Sequence, residues 1–260
     1  MTIKKNVVAI LQARMSSVRL PGKVLMNLSG KTLLDWIMER MRHSQTLDKV
    51  IVASTINQSD QPIIDHCYKN NYLVFRGSEE NVLERYYECA RAYSAEIIVR
   101  LTCDDPFKDP FMVDEYVKLI EKNKNLDYVS NTIEPTYPEG FDLEVFTFKA
   151  LEKAYFEASL SSEKEHVTPF IWKNSHLFHC RSIKNKSNFS HYRLTIDTIS
   201  DFKRIEMLLT RLSPNKVLSS EDLLAALSSD KELEELCVSD LERNLGYKQS
   251  LEKENGQKNI

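Results

Sequence analysis

Six residues of one short stretch, QARMSSVRLPGK, follow directly on the apolar run VVAIL: Arg14, Ser16, Ser17, Arg19, Gly22 and Lys23. Three cations and two hydroxyls at the end of a buried strand form a donor set for a polyphosphate. The cations neutralise charge, while hydroxyls and backbone N–H groups give direction. A solvated basic loop is the alternative that spacing leaves open. The stretch is neither a Walker loop, which needs Gly-Lys-Ser/Thr, nor a G-x-G-x-x-G dinucleotide turn. Two acidic segments lie further on. RLTCDDP places Asp104 and Asp105 just past a strand, and RLTIDT places Asp197 at a second strand end. Carboxylates from separate strands suit Mg²⁺, which takes one or two of them and completes its shell with phosphate oxygens and water. Asp105 before Pro106 reads as a turn former, Asp109 as a helix cap and Asp201 as a capping-box acid.

The elements that must position these groups alternate. Strands are expected at residues 6–11, 49–54, 72–75 and 96–101, and helical stripes at 31–43, 61–70 and 80–93. Continuous apolar strands interleaved with amphipathic helices predict a mostly parallel sheet covered on both faces. In such sheets ligands bind beyond the carboxyl ends of the strands, where the basic loop lies. After residue 125 the rhythm loosens. A strand at 127–131 is followed by a Pro/Gly-containing loop-to-strand segment at 134–146 and a helix near 147–158. A capping box is expected at Ser162 and Glu165, then strands at about 176–183 and 191–197. Thr198 and Asp201 cap a further helix, and from Lys248 a frayed tail is expected.

At 260 residues the chain suits one large domain, taken as 1–247 with an excursion at about 127–192 and a flexible tail at 248–260. A net charge of -3 argues against nucleic-acid or membrane-surface partners, so the cations at 14–23 are local and suit a small anion better than a polymer or a membrane. Five scattered cysteines without a C-x-x-C pair point to reduced thiols and a cytoplasmic protein. VVAIL is too short for a signal-peptide core, and no apolar run reaches the length of a membrane span.

The string A-R-x-x-S-x-R-L-P-G-K-x-L, Ala13 to Leu25, resembles the signature of cytidylyltransferases of the acylneuraminate/Kdo superfamily, especially its spore-coat polysaccharide biosynthesis branch. The likeness continues in order through RGSEENVLERY (76–86), RLTCDDPFKDP (100–110), YPEGFDLEVF (137–146), EHVTPFIW (165–172), RLTIDTISDF (193–202) and RNLGYKQSL (243–251). The resemblance implies a three-layer α/β/α nucleotidyltransferase of the glycosyltransferase-A-like type, whose excursion helps form a homodimer. It implies transfer of CMP from CTP to a sugar acceptor, either an ulosonic acid or a sugar phosphate, with Mg²⁺ held by Asp104 and Asp197. Ala13, Arg14, Ser16, Ser17, Arg19, Gly22 and Lys23 would hold the triphosphate, with Arg14, Lys23 and Asp104 acting in catalysis. Arg76 would approach the base, its alternative being an ion pair with Glu79 or Glu80. Backbone groups of Ala53 and Ser54 would add to this. Thr102 stands where Kdo-type relatives carry the Gln of Gln-Gly-Asp, losing an amide suited to cytosine. Asp142, Glu144 and His166 fall where the family holds its acceptor, the alternatives being a solvated acidic strand face for the two acids and a structural role for the histidine. Two other classes remain: a metal-dependent glycosyltransferase, which typically shows the D-x-D absent here, and a catalytically silent nucleotide-binding relative. Lys23 is expected to be exposed.

Overall fold

The computed structural model describes residues 5–212, 217–238 and 242–257. The chain runs β1 (Val7–Gln12), β2 (Asn27–Leu28), β3 (Lys31–Thr32), α1 (Leu33–Met41), β4 (Lys49–Thr55), α2 (Gln61–Lys69), β5 (Leu73–Gly77) and α3 (Val82–Ala92). It continues through β6 (Ile97–Thr102), α4 (Pro110–Lys122), β7 (Tyr128–Ser130), β8 (Glu144–Thr147), α5 (Phe148–Glu157), α6 (Ser161–His166), α7 (Pro169–Lys173) and β9 (Cys180–Ser182). It ends with α8 (Ile199–Leu212), α9 (Ser220–Ser229), α10 (Lys231–Glu235) and α11 (Leu245–Gln257).

The main sheet has the order β5-β4-β1-β6-β8-β7-β9. β5, β4, β1 and β6 are parallel, whereas β8 runs antiparallel to both β6 and β7. Alternate residues of β1 explain the three layers. Val7, Ala9 and Leu11 share one core with residues of α1, α2, α4, α8 and α9, while Val8 and Ile10 share the other with residues of α3, α5 and α7. A strand buried on both faces reads as an unbroken apolar run, as VVAIL does. The helices start where side chains satisfy their free N–H groups. Thr32 accepts from Asp35 N, Asn81 from Glu84 N, and Asp109 from Phe111 N, at 3.1, 3.0 and 2.7 Å.

Four expectations shift. Residues 191–197 are extended but make isolated bridges, from Tyr192 to Val238 and from Arg193 to Glu139, rather than a strand. The strand expected at 176–183 shrinks to β9. At α6 the acid that closes the cap is Glu163, which accepts from the backbone N–H groups of Ser159 and Leu160 at 3.1 Å each; Ser162 and Glu165 do not form the box. Instead of fraying at Lys248, the chain is helical through Gln257. Glu254 accepts from Ser162, and Ser250 donates to Glu165 at 2.7 Å, so polar contacts with α6 hold a helix that has no apolar stripe to announce it. No helix among the described residues is long and apolar enough to cross a membrane.

Candidate active site

Strand order reverses between β1 and β6, and the crevice beyond their carboxyl ends is where an open α/β sheet binds its ligand. The basic loop leaves β1 at that point. Its path is set by Asp60, fully buried, which accepts from Met15 N at 2.7 Å and from the Thr55 hydroxyl. The Met15 carbonyl in turn accepts from Ser17 N and Gly22 N, both at 2.9 Å. Gly22 has φ +74°, a conformation that favours glycine, and it turns the chain into the 3-10 turn Lys23–Leu25.

That turn sends Lys23 inward. The side chain is buried, not exposed as the sequence suggested, because its ammonium has three oxygen partners to replace water. Nζ donates to the Ile196 carbonyl at 2.7 Å, to Asp197 Oδ1 at 3.0 Å and to Asp104 Oδ2 at 3.2 Å. Burial alone would discharge Lys23, but the two carboxylates outweigh it and hold its pKa above that of an ordinary lysine. Burial likewise opposes the charge on Asp104; Lys23, with help from Thr102, keeps its carboxyl below the usual range. The two acidic segments are joined through the backbone, Ile196 N donating to the Asp104 carbonyl at 2.9 Å. Asp201 fixes the second segment by accepting from Asp197 N and Thr198 N at 3.1 and 3.0 Å. Arg19 and Arg193 also pair with Asp197. Asp105 turns away, accepting from the Thr102 hydroxyl and pairing with Lys108, both at 2.8 Å.

The remaining loop residues lie outside this knot. Arg14 is exposed and makes no hydrogen bond or ion pair to the described residues, so its guanidinium is available to a ligand. Ala13 is buried, its N–H donating to the Ala53 carbonyl at 3.2 Å, and the Ser16 hydroxyl donates to Glu79 at 3.0 Å. Ser17 is half-buried. On the expected base side the arrangement differs from expectation. Ala53 and Ser54 are fully buried within β4, enclosed by β1 and β5. Arg76 neither lines the cleft nor pairs with Glu79 or Glu80. It folds back to donate to the carbonyls of Thr55 and Asn57 at 3.0 and 3.1 Å, because these strand-end carbonyls are nearer than the acids.

A cleft of about 390 Å³ opens beside the Lys23 knot. Arg19, Thr102, Asp104 and Asp197 line it together with Asp142, Glu144 and His166, so both expected halves of the site meet in one cavity. Asp142 pairs with Arg243, yet burial prevails and its pKa is pushed up to about 6. Glu144 is not a solvated acid. Arg100 Nη1 donates to one of its oxygens, and the hydroxyls of Tyr128 (2.7 Å) and Thr168 donate to the other. These donors overcome burial and keep its pKa low. His166 meets the Ser250 hydroxyl at 3.1 Å, and burial, assisted by Arg100, lowers its pKa to about 4, leaving a neutral imidazole.

Sequence reasoning missed Arg100 and Arg193, although a signal was present. R-L-T-x-D occurs twice, at Arg100–Asp104 and Arg193–Asp197. Each copy delivers an arginine to the cleft four residues before a carboxylate of the knot. Lys108, Trp172 and Tyr247 also line the cleft and carried no comparable signal. Among the described residues no three His, Cys, Asp or Glu side chains cluster as a metal cage. The protein's share of a Mg²⁺ shell would therefore be Asp104 and Asp197. Both carboxylates line the cleft and are the hard oxygen donors that ion takes, and Asp197 would give up part of its pairing with Lys23, Arg19 and Arg193 to hold it.

A doubly wound sheet with a cationic loop after β1 and paired acids at the switch point defines a nucleotidyltransferase. The chain belongs to the cytidylyltransferase family, whose sequence profile, described as "Cytidylyltransferase", it matches over residues 8–243. It is 42% identical over 200 residues to the uncharacterized protein MJ1063 of Methanocaldococcus jannaschii, covering 76% of this chain and 81% of that one. It is 32% identical over 231 residues to the spore coat polysaccharide biosynthesis protein SpsF of Bacillus subtilis, covering 86% and 94%. The solved structure of a cytidylyltransferase from Leptospira borgpetersenii superposes with a TM-score of 0.85 at 32% identity, covering 92% of this chain and all of that one.

Proposed function

We propose that this protein transfers CMP from CTP to a sugar acceptor, an ulosonic acid or a sugar phosphate, with release of pyrophosphate, in the making of a surface polysaccharide or glycoconjugate. The observation that carries the reading is Lys23 held between Asp104 and Asp197 at the mouth of the cleft that Asp142, Glu144 and His166 line. The relationship to SpsF supports the polysaccharide context, and the family supports CTP.

Arg14, Arg19 and Lys23 would neutralise the triphosphate as an acceptor oxygen attacks the α-phosphate. The P–O bond to the β-phosphate breaks, and pyrophosphate leaves toward the basic loop. A hydroxyl acceptor releases its proton to solvent, whereas a phosphate acceptor is already ionised and attacks as it stands. A hydroxyl nucleophile gives a CMP-sugar and a phosphate nucleophile a CDP-sugar. Mg²⁺, held by Asp104 and Asp197, would supply further positive charge at the phosphates. Catalysis on this plan is positioning and charge neutralisation, with no covalent enzyme intermediate.

The test is pyrophosphate release with each of the four NTPs, with and without Mg²⁺, against a panel of ulosonic acids and sugar 1-phosphates. Release confined to CTP, to added metal and to one acceptor class supports the reading. No release, together with no thermal shift by any NTP and Mg²⁺, overturns it.

A further inference from the structure

The cations around the cleft differ in how much of their hydrogen-bonding capacity is spent. Lys108, 3% exposed, is held by Asp105 and by the Asp142 carbonyl. Arg193 divides its terminal nitrogens between Glu139 and Asp197. Arg243 places its own on the Tyr137 carbonyl and Asp142. Arg100 is different. Nη1 donates to Glu144 and no described residue accepts from Nη2, whereas a buried Nε without an acceptor is common to Arg100, Arg193 and Arg243. Its side chain is 15% exposed and lines the cleft.

Arg100 is also rigidly held. It lies directly across from Glu144 in the β6–β8 register, and the Tyr128 and Thr168 hydroxyls fix that carboxylate from the other side. The same two hydroxyls draw off part of the Glu144 charge, so the guanidinium is oriented rather than cancelled. A planar guanidinium with a donor left over, fixed in place and sheltered from bulk water, is a receptor for an oxyanion. Its position matches the reaction. Arg100 and Thr102 share one face of β6, about 7 Å apart along the strand, and Asp104 follows two residues later. Across from Thr102 on β1 stands Gln12, whose Oε1 is likewise buried without a partner. A ligand entering the cleft from Asp104 passes Thr102 and Gln12 and meets Arg100.

We propose that Arg100 binds a carboxylate or phosphate oxygen of the acceptor, and that this contact makes the enzyme select anionic sugars over neutral ones. The assignment rests on the cytidylyl-transfer reading above and adds the residue that sets acceptor class.

The experiment is calorimetric titration of the protein loaded with Mg²⁺ and a non-hydrolysable CTP analogue. The carboxylate arm uses 3-deoxyoctulosonate and N-acetylneuraminate against their methyl esters. The phosphate arm uses glucose 1-phosphate against methyl glucoside. Native protein is expected to bind at least one anion 10–100-fold more tightly than its neutral counterpart, the size of a charge-assisted hydrogen bond. Arg100→Lys keeps a cation for Glu144, but its single compact ammonium, drawn to that carboxylate, has no second terminal nitrogen held in a plane toward the ligand. It should erase that preference while leaving the melting temperature and the shift produced by the CTP analogue near native. Anions bound no better than neutral sugars, or not at all, overturn the assignment, as does a preference that survives in Arg100→Lys. Failure of the CTP analogue to shift native protein is a separate result, which removes the transfer reading and this assignment with it.

Discussion

Lys23 and Asp104 lie 81 residues apart in sequence, and their side chains meet at 3.2 Å beyond the ends of β1 and β6. Burial of Lys23 and partial enclosure of Asp104 would each favour the neutral form, and each keeps the other charged. This pair, with Asp197 as its third member, turns a basic loop and two separated acids into one site.

Lys23→Ala would leave Asp104 and Asp197 facing one another without the ammonium between them. Removing one partner from a buried charge pair costs roughly 3 kcal/mol, so a lower melting temperature is expected. Turnover should fall at least 100-fold through the loss of charge stabilisation. Mg²⁺ should raise the melting temperature of this variant more than that of the native protein, by replacing the missing charge. Calorimetry with and without Mg²⁺ reads the outcome, and an unchanged melting temperature would contradict the buried position of Lys23.

Asp104→Asn and Asp197→Asn should each lower kcat by about 10²–10³-fold and raise the Mg²⁺ concentration needed for half-maximal rate. Removing the ion with EDTA should abolish native turnover reversibly. If Asp197→Asn loses activity while its Mg²⁺ requirement stays native, Asp197 serves the cations around it and not the metal.

Asp142→Asn tests the cost of a buried acid. The folded pKa of Asp142 is pushed up to about 6 from an ordinary 3.8, burial prevailing over Arg243. Between those values the native state holds a proton that the unfolded chain releases, so stability falls as pH rises through the window. The variant should therefore melt higher than native above pH 6 and lose that advantage near pH 4. Thermal melts across this range decide it, and an advantage that grows toward acid would show that the Arg243 pair dominates instead.

Gly140 lines the cleft beside Glu139 and has φ +109°. A Cβ there would lie 2.9 Å from the backbone carbon of Leu194, on the segment that leads to Asp197. Gly140→Ala is expected to destabilise the fold by about 1–3 kcal/mol through strain at this special conformation. It should also slow turnover by displacing the Asp197 segment. A circular-dichroism melt with parallel kinetics checks both effects, and a native melting temperature would count against the close approach.

Much of the framework was legible in the sequence. VVAIL became the central strand because an unbroken β-branched run can be buried on both faces, and the Thr198/Asp201 box formed because its residues are neighbours. Asp104 was legible at the end of β6, whereas Asp197, expected at a strand end, meets it from a segment that makes only isolated bridges. Arg76 was misread because its carbonyl partners, on Thr55 and Asn57, depend on how β4 and β5 align. Ser54, expected to contact the base through its backbone, is fully buried and lies across from Arg76 of β5, which strand position alone does not reveal.

Local pattern in the chain set the alternation of β1, β4, β5 and β6 with their helices, since periodicity, caps and breakers act over a few residues. It also determined that cations follow the first strand and acids follow two later segments. The tertiary structure alone decided that Lys23 is buried, that Glu144 is tied to Arg100, Tyr128 and Thr168, and that α11 closes against α6. Each of those outcomes depends on which distant segments come within hydrogen-bond distance. Charges at that range hold or shift one another's pKa values, and no local pattern in the chain encodes the distance.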